Sequence, residues 1–220
     1  MFMKSAFFMK RRIQKHLRRL EKYGEIPEDL KAVADAYAQA SDAASAIAFY
    51  QRAIEAYYCE GGRVGKENTF IFEVCHGLLA IDPLNALAYQ TLGQEYCGVN
   101  AFETASRLYQ AFAKKLVDAE RYEDAIAQYR NVLVFEPDNL GMRERILSLL
   151  LKLRKRPEAA HEFQKLAEYA EKMGRSGKAV EYYQKALQLM PSQTEVHAAL
   201  RRLTKQNRMS EAPLRLVVNQ

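Results

Sequence analysis

Pro83, Pro137 and Pro191 recur at one 54-residue interval, and the residues before them align at the same spacing. The stretch 102–136 recurs as 156–190. Within it Ala105, Tyr109, Phe112 and Ala113 fall on Ala159, Phe163, Leu166 and Ala167, and Ala125, Tyr129 and Val132 fall on Ala179, Tyr183 and Ala186. A fixed period of this size predicts a stacked array, because one such unit cannot bury its apolar face alone. Surfaces therefore come before chemistry in any account of what the chain does.

Apolar residues recur at three- and four-residue spacing along nearly the whole chain, and no stretch alternates with period two. Helices are expected over 3–22, 28–39, 43–59, 67–80, 86–97, 101–119, 122–135, 140–153, 157–173, 175–189 and 193–207. Breaks are expected at Pro27, the Gly61–Gly65 loop, Asp82-Pro83, Pro137-Asp138, Pro157, Gly174 and Pro191-Ser192. Links this short predict antiparallel neighbours. Hydrophobic residues make up 49% of the chain, enough for a well-buried array. No run approaches the length of a membrane span, so a soluble protein is expected.

Tyr89-x-x-Leu92-Gly93-x-x-Tyr96 followed by Ala105-x-x-x-Tyr109 resembles a tetratricopeptide repeat. Leu30-x-x-Val33-Ala34-x-x-Tyr37 with Ala46-x-x-x-Tyr50 is similar. So are Tyr109-x-x-Phe112-Ala113 with Ala125-x-x-x-Tyr129 and Pro137, and Phe163-x-x-Leu166-Ala167 with Ala179-x-x-x-Tyr183 and Pro191. The resemblance implies an all-α, right-handed α-solenoid, a superhelix of ten to eleven antiparallel helices. The family period is about 34 residues. The longer period here arises because helices 101–119 and 157–173 each complete one motif and open the next. Each unit is thus three helices, and an odd number reverses the direction of successive units. Residues 30–37 precede 89–96 by a slightly longer interval, the excess being accounted for by the glycine-rich loop. The expected domains are a basic amphipathic helix (1–26), the array (27–207) and a C-terminal tail (208–220). Within the array the expected units are 27–83, 84–137 and 138–191, then a capping helix over 193–207. The favoured pairing sets 28–39 with 43–59, 67–80 with 86–97, 101–119 with 122–135, 140–153 with 157–173 and 175–189 with 193–207.

Catalysis finds no footing. Gly61-x-x-x-Gly65-Lys66 is one residue short of a phosphate-binding loop, and Glu67 stands where Ser or Thr is needed. His16, His76, His161 and His197 are scattered over separate helices. Cys59, Cys75 and Cys97 are odd in number and too far apart for a metal or redox site. The acid pairs Glu28-Asp29 and Glu123-Asp124 open helices, where they complement the helix dipole. No enzyme activity, cofactor or metal is expected. Reduced cysteines point to the cytoplasm, and a bacterial setting is the expectation.

The resemblance implies that extended peptides or partner helices lie along the concave face. Opposite the Leu–Gly stripe of the first helices, that face holds Lys31, Asp35, Arg107, Gln110, Lys114, Glu144, Arg145 and Ser148. The partner-binding candidates are Lys31, Arg107, Gln110, Lys114, Arg145 and Ser148. Some family members clamp a C-terminal carboxylate with Lys, Asn and Arg. Lys31 and Arg145 fit such a role, but Asp35 stands where the clamp wants an amide.

The net charge of +6 is concentrated in one arm. Residues 1–22 carry +7 and the rest of the chain sums to −1. Phe2, Ala6, Met9, Ile13, Leu17 and Leu20 form an apolar stripe beside Lys4, Lys10, Arg11, Arg12, Lys15, Arg18 and Arg19. Three readings stay open: the stripe packs on helix 28–39 with its charges solvated, the arm docks on an anionic membrane surface, or it meets an acidic partner. Nucleic acid is disfavoured, because no aromatics interleave with the basic residues and the array has no basic surface of its own. The expected function is a non-catalytic adaptor or scaffold for another protein or peptide. The rivals are a membrane-peripheral regulator and a self-assembling homo-oligomer.

Overall fold

The computed structural model describes residues 2–62, 64 and 69–217, with side chains for 10–62, 64 and 69–205. The chain is all-α. Its described helices are α1 (Phe2–Tyr23), α2 (Pro27–Gln39), α3 (Ala43–Cys59), α4 (Thr69–Ile81), α5 (Ala86–Gly98), α6 (Phe102–Asp118), α7 (Tyr122–Phe135), α8 (Leu140–Lys152), α9 (Arg156–Lys172), α10 (Ser176–Leu189) and α11 (Thr194–Val217). Each expected helix is present, and no strand occurs among the described residues. Arg63, Gly65, Lys66 and Glu67 of the glycine-rich loop lie outside the described residues.

The turns carry the repeat into the backbone. Within α2–α10, six helices end in a left-handed residue: Ser41 after α2, Gly61 after α3, Asn100 after α5, Glu120 after α6, Arg154 after α8 and Gly174 after α9. At each, two backbone bonds close the helix end, as where Ser41 N–H donates to Ala38 and Asp42 N–H to Tyr37. This Schellman arrangement satisfies carbonyls that the helix end would otherwise leave unpaired. The other three, α4, α7 and α10, stop just before Pro83, Pro137 and Pro191, which cannot continue a helix. Each three-helix unit thus uses two Schellman turns and then a proline turn. Asn100 and Arg154 are separated by the same interval as the prolines, and so are Glu120 and Gly174.

The helix after each proline turn needs a new cap. Asn85 Oδ1 accepts from Ala88 N–H at 3.2 Å, and Asn139 Oδ1 accepts from Met142 N–H at 3.1 Å. Each asparagine amide also donates to the acid three residues earlier, Asp82 at 3.0 Å and Glu136 at 2.6 Å. The third copy has Met190 and Gln193 at these places. Its Gln193 Oε1 is buried with no hydrogen-bond partner among the described residues.

The chain divides into two compact units, Met1–Lys115 and Leu116–Gln220. In unit 1 the core joins Leu30, Ala34, Ala46, Tyr50, Ile54, Ile71, Val74, Cys75, Leu78 and Leu92. Stacked rings line it, Tyr37 on Phe49 (5.6 Å) and Tyr57 on Phe70 (5.7 Å), and Tyr89 stacks on Phe112 (3.9 Å) elsewhere in the unit. In unit 2 the buried residues are mostly aliphatic: Val132, Ile146, Leu150, Ala159, Leu166, Ala167, Ala170 and Ala186. Each fully buried Leu or Ile is worth about 1.5–3 kcal/mol.

One expectation is refined and another needs revision. The expected neighbours α8 and α9, and α10 and α11, pack together, and α9 packs still more extensively on α10. The physical reason is the small-residue stripe: Ala159, Ala167 and Ala170 on α9 and Ala179 and Ala186 on α10 are buried and let the two backbones approach. The last helix, expected to end at 207, continues through 208–217 of the stretch set apart as a tail. Residues 218–220 lie outside the described residues.

Candidate functional site

The six partner-binding candidates fall on α2, α6 and α8, and most already have company. Lys31 Nζ lies 3.1 Å from Asp35 Oδ2 and 3.3 Å from Glu73 Oε2, and Tyr50 Oη donates to Asp35 Oδ1 at 2.5 Å. Burial alone would lower the Lys31 ammonium, but the two carboxylates outweigh it and raise its pKa. A clamp built on Lys31 would first have to break these pairs. On α6, Arg107 pairs with Glu103 at 2.5 Å, Gln110 Nε2 donates to Ser106 Oγ at 3.2 Å, and Lys114 is exposed. On α8, Arg145 lies 6.0 Å from the centre of the Tyr129 ring, and Ser148 Oγ donates back to the Arg145 carbonyl at 2.9 Å. Glu144 is exposed beside them.

A richer surface surrounds α9, which the sequence pairing had treated as a second helix. One groove of about 380 Å³ is lined by Gln164, Glu168, Glu171, Tyr183, Glu195 and Arg202. Another, of about 200 Å³, is lined by Asp138, Arg143, Lys165, Glu168, Tyr169 and Lys172. Glu168 borders both. It accepts from Gln164 Nε2 at 2.9 Å and pairs with Lys165 at 3.1 Å. Tyr183 Oη donates to Glu171 at 2.6 Å, and Arg202 pairs with the same carboxylate at 2.5 Å. The motif Phe163-x-x-Leu166-Ala167 held the signal for this face. Those three side chains are buried, so Gln164, Lys165 and Glu168 look the other way.

The basic helix has a defined seat. Asp29, only 3% exposed, receives α1 through His16 Nδ1 at 2.7 Å from Oδ1 and Arg19 Nε at 2.9 Å from Oδ2. Leu20 packs against the core of unit 1, and Ile13, His16 and Leu17 are half-buried. Asp29 is therefore more than a dipole partner at the start of α2, because it anchors a separate helix. Lys10, Arg11, Arg12, Lys15 and Arg18 stay exposed, as does Arg19 despite its pairing. The side chain of Lys4 lies outside the described residues.

The perturbed thiols and phenols resist ionisation. Burial pushes the Cys75 thiol up to about 12, with the Glu95 carboxylate adding to the effect. Burial together with hydrogen bonds to Asp35, Glu95 and Glu171 raises Tyr50, Tyr58 and Tyr183. These shifts oppose the lowered pKa of an activated nucleophile. Among the described residues no cluster of His, Cys, Asp or Glu could hold a metal ion. Cys59, Cys75 and Cys97 are unpaired. No described helix is long and apolar enough to cross a membrane.

No protein-family model matches the chain, and no curated protein matches it. Among solved structures, BtubC from P. vanneervenii is similar at 14% identity over 92% of this chain and 82% of its own, with a TM-score of 0.40. A TPR repeats protein of Bacteroides fragilis is similar at 15% identity over 91% of this chain and 92% of its own, with a TM-score of 0.37. YrrB, described as a TPR protein with an unusual peptide-binding site, is similar at 16% identity over 84% of this chain and 96% of its own, with a TM-score of 0.26.

Proposed function

We propose that the chain is a non-catalytic interaction adaptor that holds a partner protein or peptide against the polar faces of its helical repeat. The observation that carries this reading is the pair of open grooves sharing Glu168 on α9. The first is mostly acidic, with Glu168, Glu171 and Glu195 against Arg202, and the second sets Arg143, Lys165 and Lys172 against Asp138 and Glu168, linings that suit a polar segment of mixed charge rather than an apolar small molecule. Lys31, Arg107, Gln110, Lys114, Arg145 and Ser148 are the further contact candidates on α2, α6 and α8. Repeat arrays present such faces because their cores are spent on stacking neighbours, leaving one side of each helix for a ligand. The unpaired thiols support a reducing, cytoplasmic setting.

The test uses the full chain, since removing α1 would strand the buried Asp29 carboxylate. Paired affinity captures compare the native protein with a Gln164→Arg/Glu168→Arg variant whose thermal melt is unchanged. The reading expects a protein retained by the first and lost by the second. Retrieval of the same set by both would remove the α9 grooves from the account.

A further inference from the structure

We propose that the outer face of α1 docks the protein on an anionic phospholipid surface, a property beyond partner binding by the array. The inner face of α1 is occupied: Leu20 packs on the core of unit 1, and His16 and Arg19 meet Asp29. That seat fixes the rotation of the helix about its own axis. Arg11, Lys15 and Arg18 follow one another at four- and three-residue steps, a spacing that puts them on one stripe. All three are exposed, and no acid pairs with them among the described residues. Lys22 extends the stripe, making a row about 16 Å long at the usual helical rise. Arg12 and Lys10 flank it, also exposed.

Two features favour lipid over an acidic protein or a nucleic acid. The charge is confined to this helix, the rest of the chain summing to −1, so the basic footprint is one narrow row and not a groove that tracks a nucleic-acid backbone. The sequence also places Phe7 and Phe8 four and three residues before Arg11. Aromatic residues ahead of a basic row match a surface with anionic headgroups above an apolar layer, whereas an acidic protein would match the charges alone.

Co-sedimentation of the full chain with vesicles tests the proposal. Phosphatidylcholine vesicles containing phosphatidylglycerol should bind the protein at low salt, pure phosphatidylcholine vesicles should not, and added salt should weaken the binding. An Arg11→Glu/Lys15→Glu/Arg18→Glu variant should bind at least about tenfold more weakly with an unchanged melt. An Arg11→Lys/Arg18→Lys variant, which keeps the charge, should bind like the native chain. The proposal is overturned if the native chain ignores the anionic vesicles at low salt or if the charge-reversed variant binds them equally. It also fails if polyglutamate or duplex DNA binds the row while the vesicles do not.

Discussion

Unit 1 takes more polar side chains into its interior than unit 2. Asp29, Asn85, Thr91, Glu95 and Ser106 are buried in unit 1, and in unit 2 Glu162 and the side-chain oxygen of Gln193 are. In unit 1 Tyr58 Oη donates to Glu95, which is 1% exposed. Unit 2 instead joins its helices with ion pairs nearer solvent, Arg130 to Glu158 at 3.1 Å and Lys172 to Asp138 at 3.5 Å. The helix crossings differ in the same sense. A Cβ on Gly93 would overlap Tyr109 Oη and lie 2.5 Å from its Cζ. At the corresponding motif position in unit 2, Ala167 already carries a Cβ and is fully buried. The same turn sequence therefore encloses two kinds of interior. Buried polar groups that are hydrogen-bonded specify one arrangement, while an aliphatic core tolerates repacking.

The largest effect should come from forcing the tight crossing. Gly93→Leu should cost roughly 3 kcal/mol or more, at the upper end for overpacking, because Tyr109 has to leave its place. Gly93→Ala should also destabilise, despite the gain of about 1 kcal/mol that Ala usually brings to a helix. Thermal melts of both, beside Ala167→Leu at roughly 1–3 kcal/mol, would check the contrast. A stabilising Gly93→Ala would show that the crossing is looser than the contacts imply.

Asp29→Ala comes next. It leaves His16 half-buried without its carboxylate and frees Arg19 to solvent, a loss of about 1–3 kcal/mol. Limited trypsin digestion should then cut near Arg18 and Arg19 faster than in the native chain. Equal digestion would mean that Leu20 and its apolar neighbours seat α1 unaided.

Alkaline pH should separate the units. Tyr50, Tyr58, Cys75, Cys97 and Tyr109 all have raised pKa values, and all lie in unit 1. Such acids stay neutral in the fold while the unfolded chain ionises. Their contribution is therefore complete below the unfolded values, 9.0 for Cys and 10.0 for Tyr, and is lost as pH climbs past them toward about 12 for Cys75. Lys31 adds to the trend, since its raised ammonium stabilises below 10.5 and ceases to do so above. Unit 2 holds Tyr183 as its raised tyrosine. Alkylation should reach exposed Cys59 at neutral pH, and Cys75 only as unit 1 opens at alkaline pH, above its unfolded value of 9.0. Protection of Cys75 to the top of that range would contradict the assignment.

The smallest effect should follow Arg130→Ala. Both partners of this pair are about half exposed, so the change should stay near ~0.5 kcal/mol and shrink further in salt. A loss of several kcal/mol would mean that the rim of unit 2 is held by more than surface charge.

The sequence alone determined the helices and their punctuation, because both rest on local physics. Apolar spacing predicts amphipathic helices, Pro83, Pro137 and Pro191 stop them, and the even recurrence of those prolines is visible without a fold. Other features depended on which chain segments meet. Ser41, Asn100, Glu120 and Arg154 carry no glycine signal, yet each takes the left-handed conformation because tight neighbouring helices demand a short turn. The face of α9 followed from its packing on α10, since the motif of α9 could have been read with either neighbour. Asp29 looked like an ordinary helix-start acid until α1 folded over it, and Glu95 is buried where Tyr58 reaches it from a distant part of the chain. Periodicity reports which side of a helix is apolar. Only tertiary packing decides which helix covers that side, and which polar groups are carried inward with it.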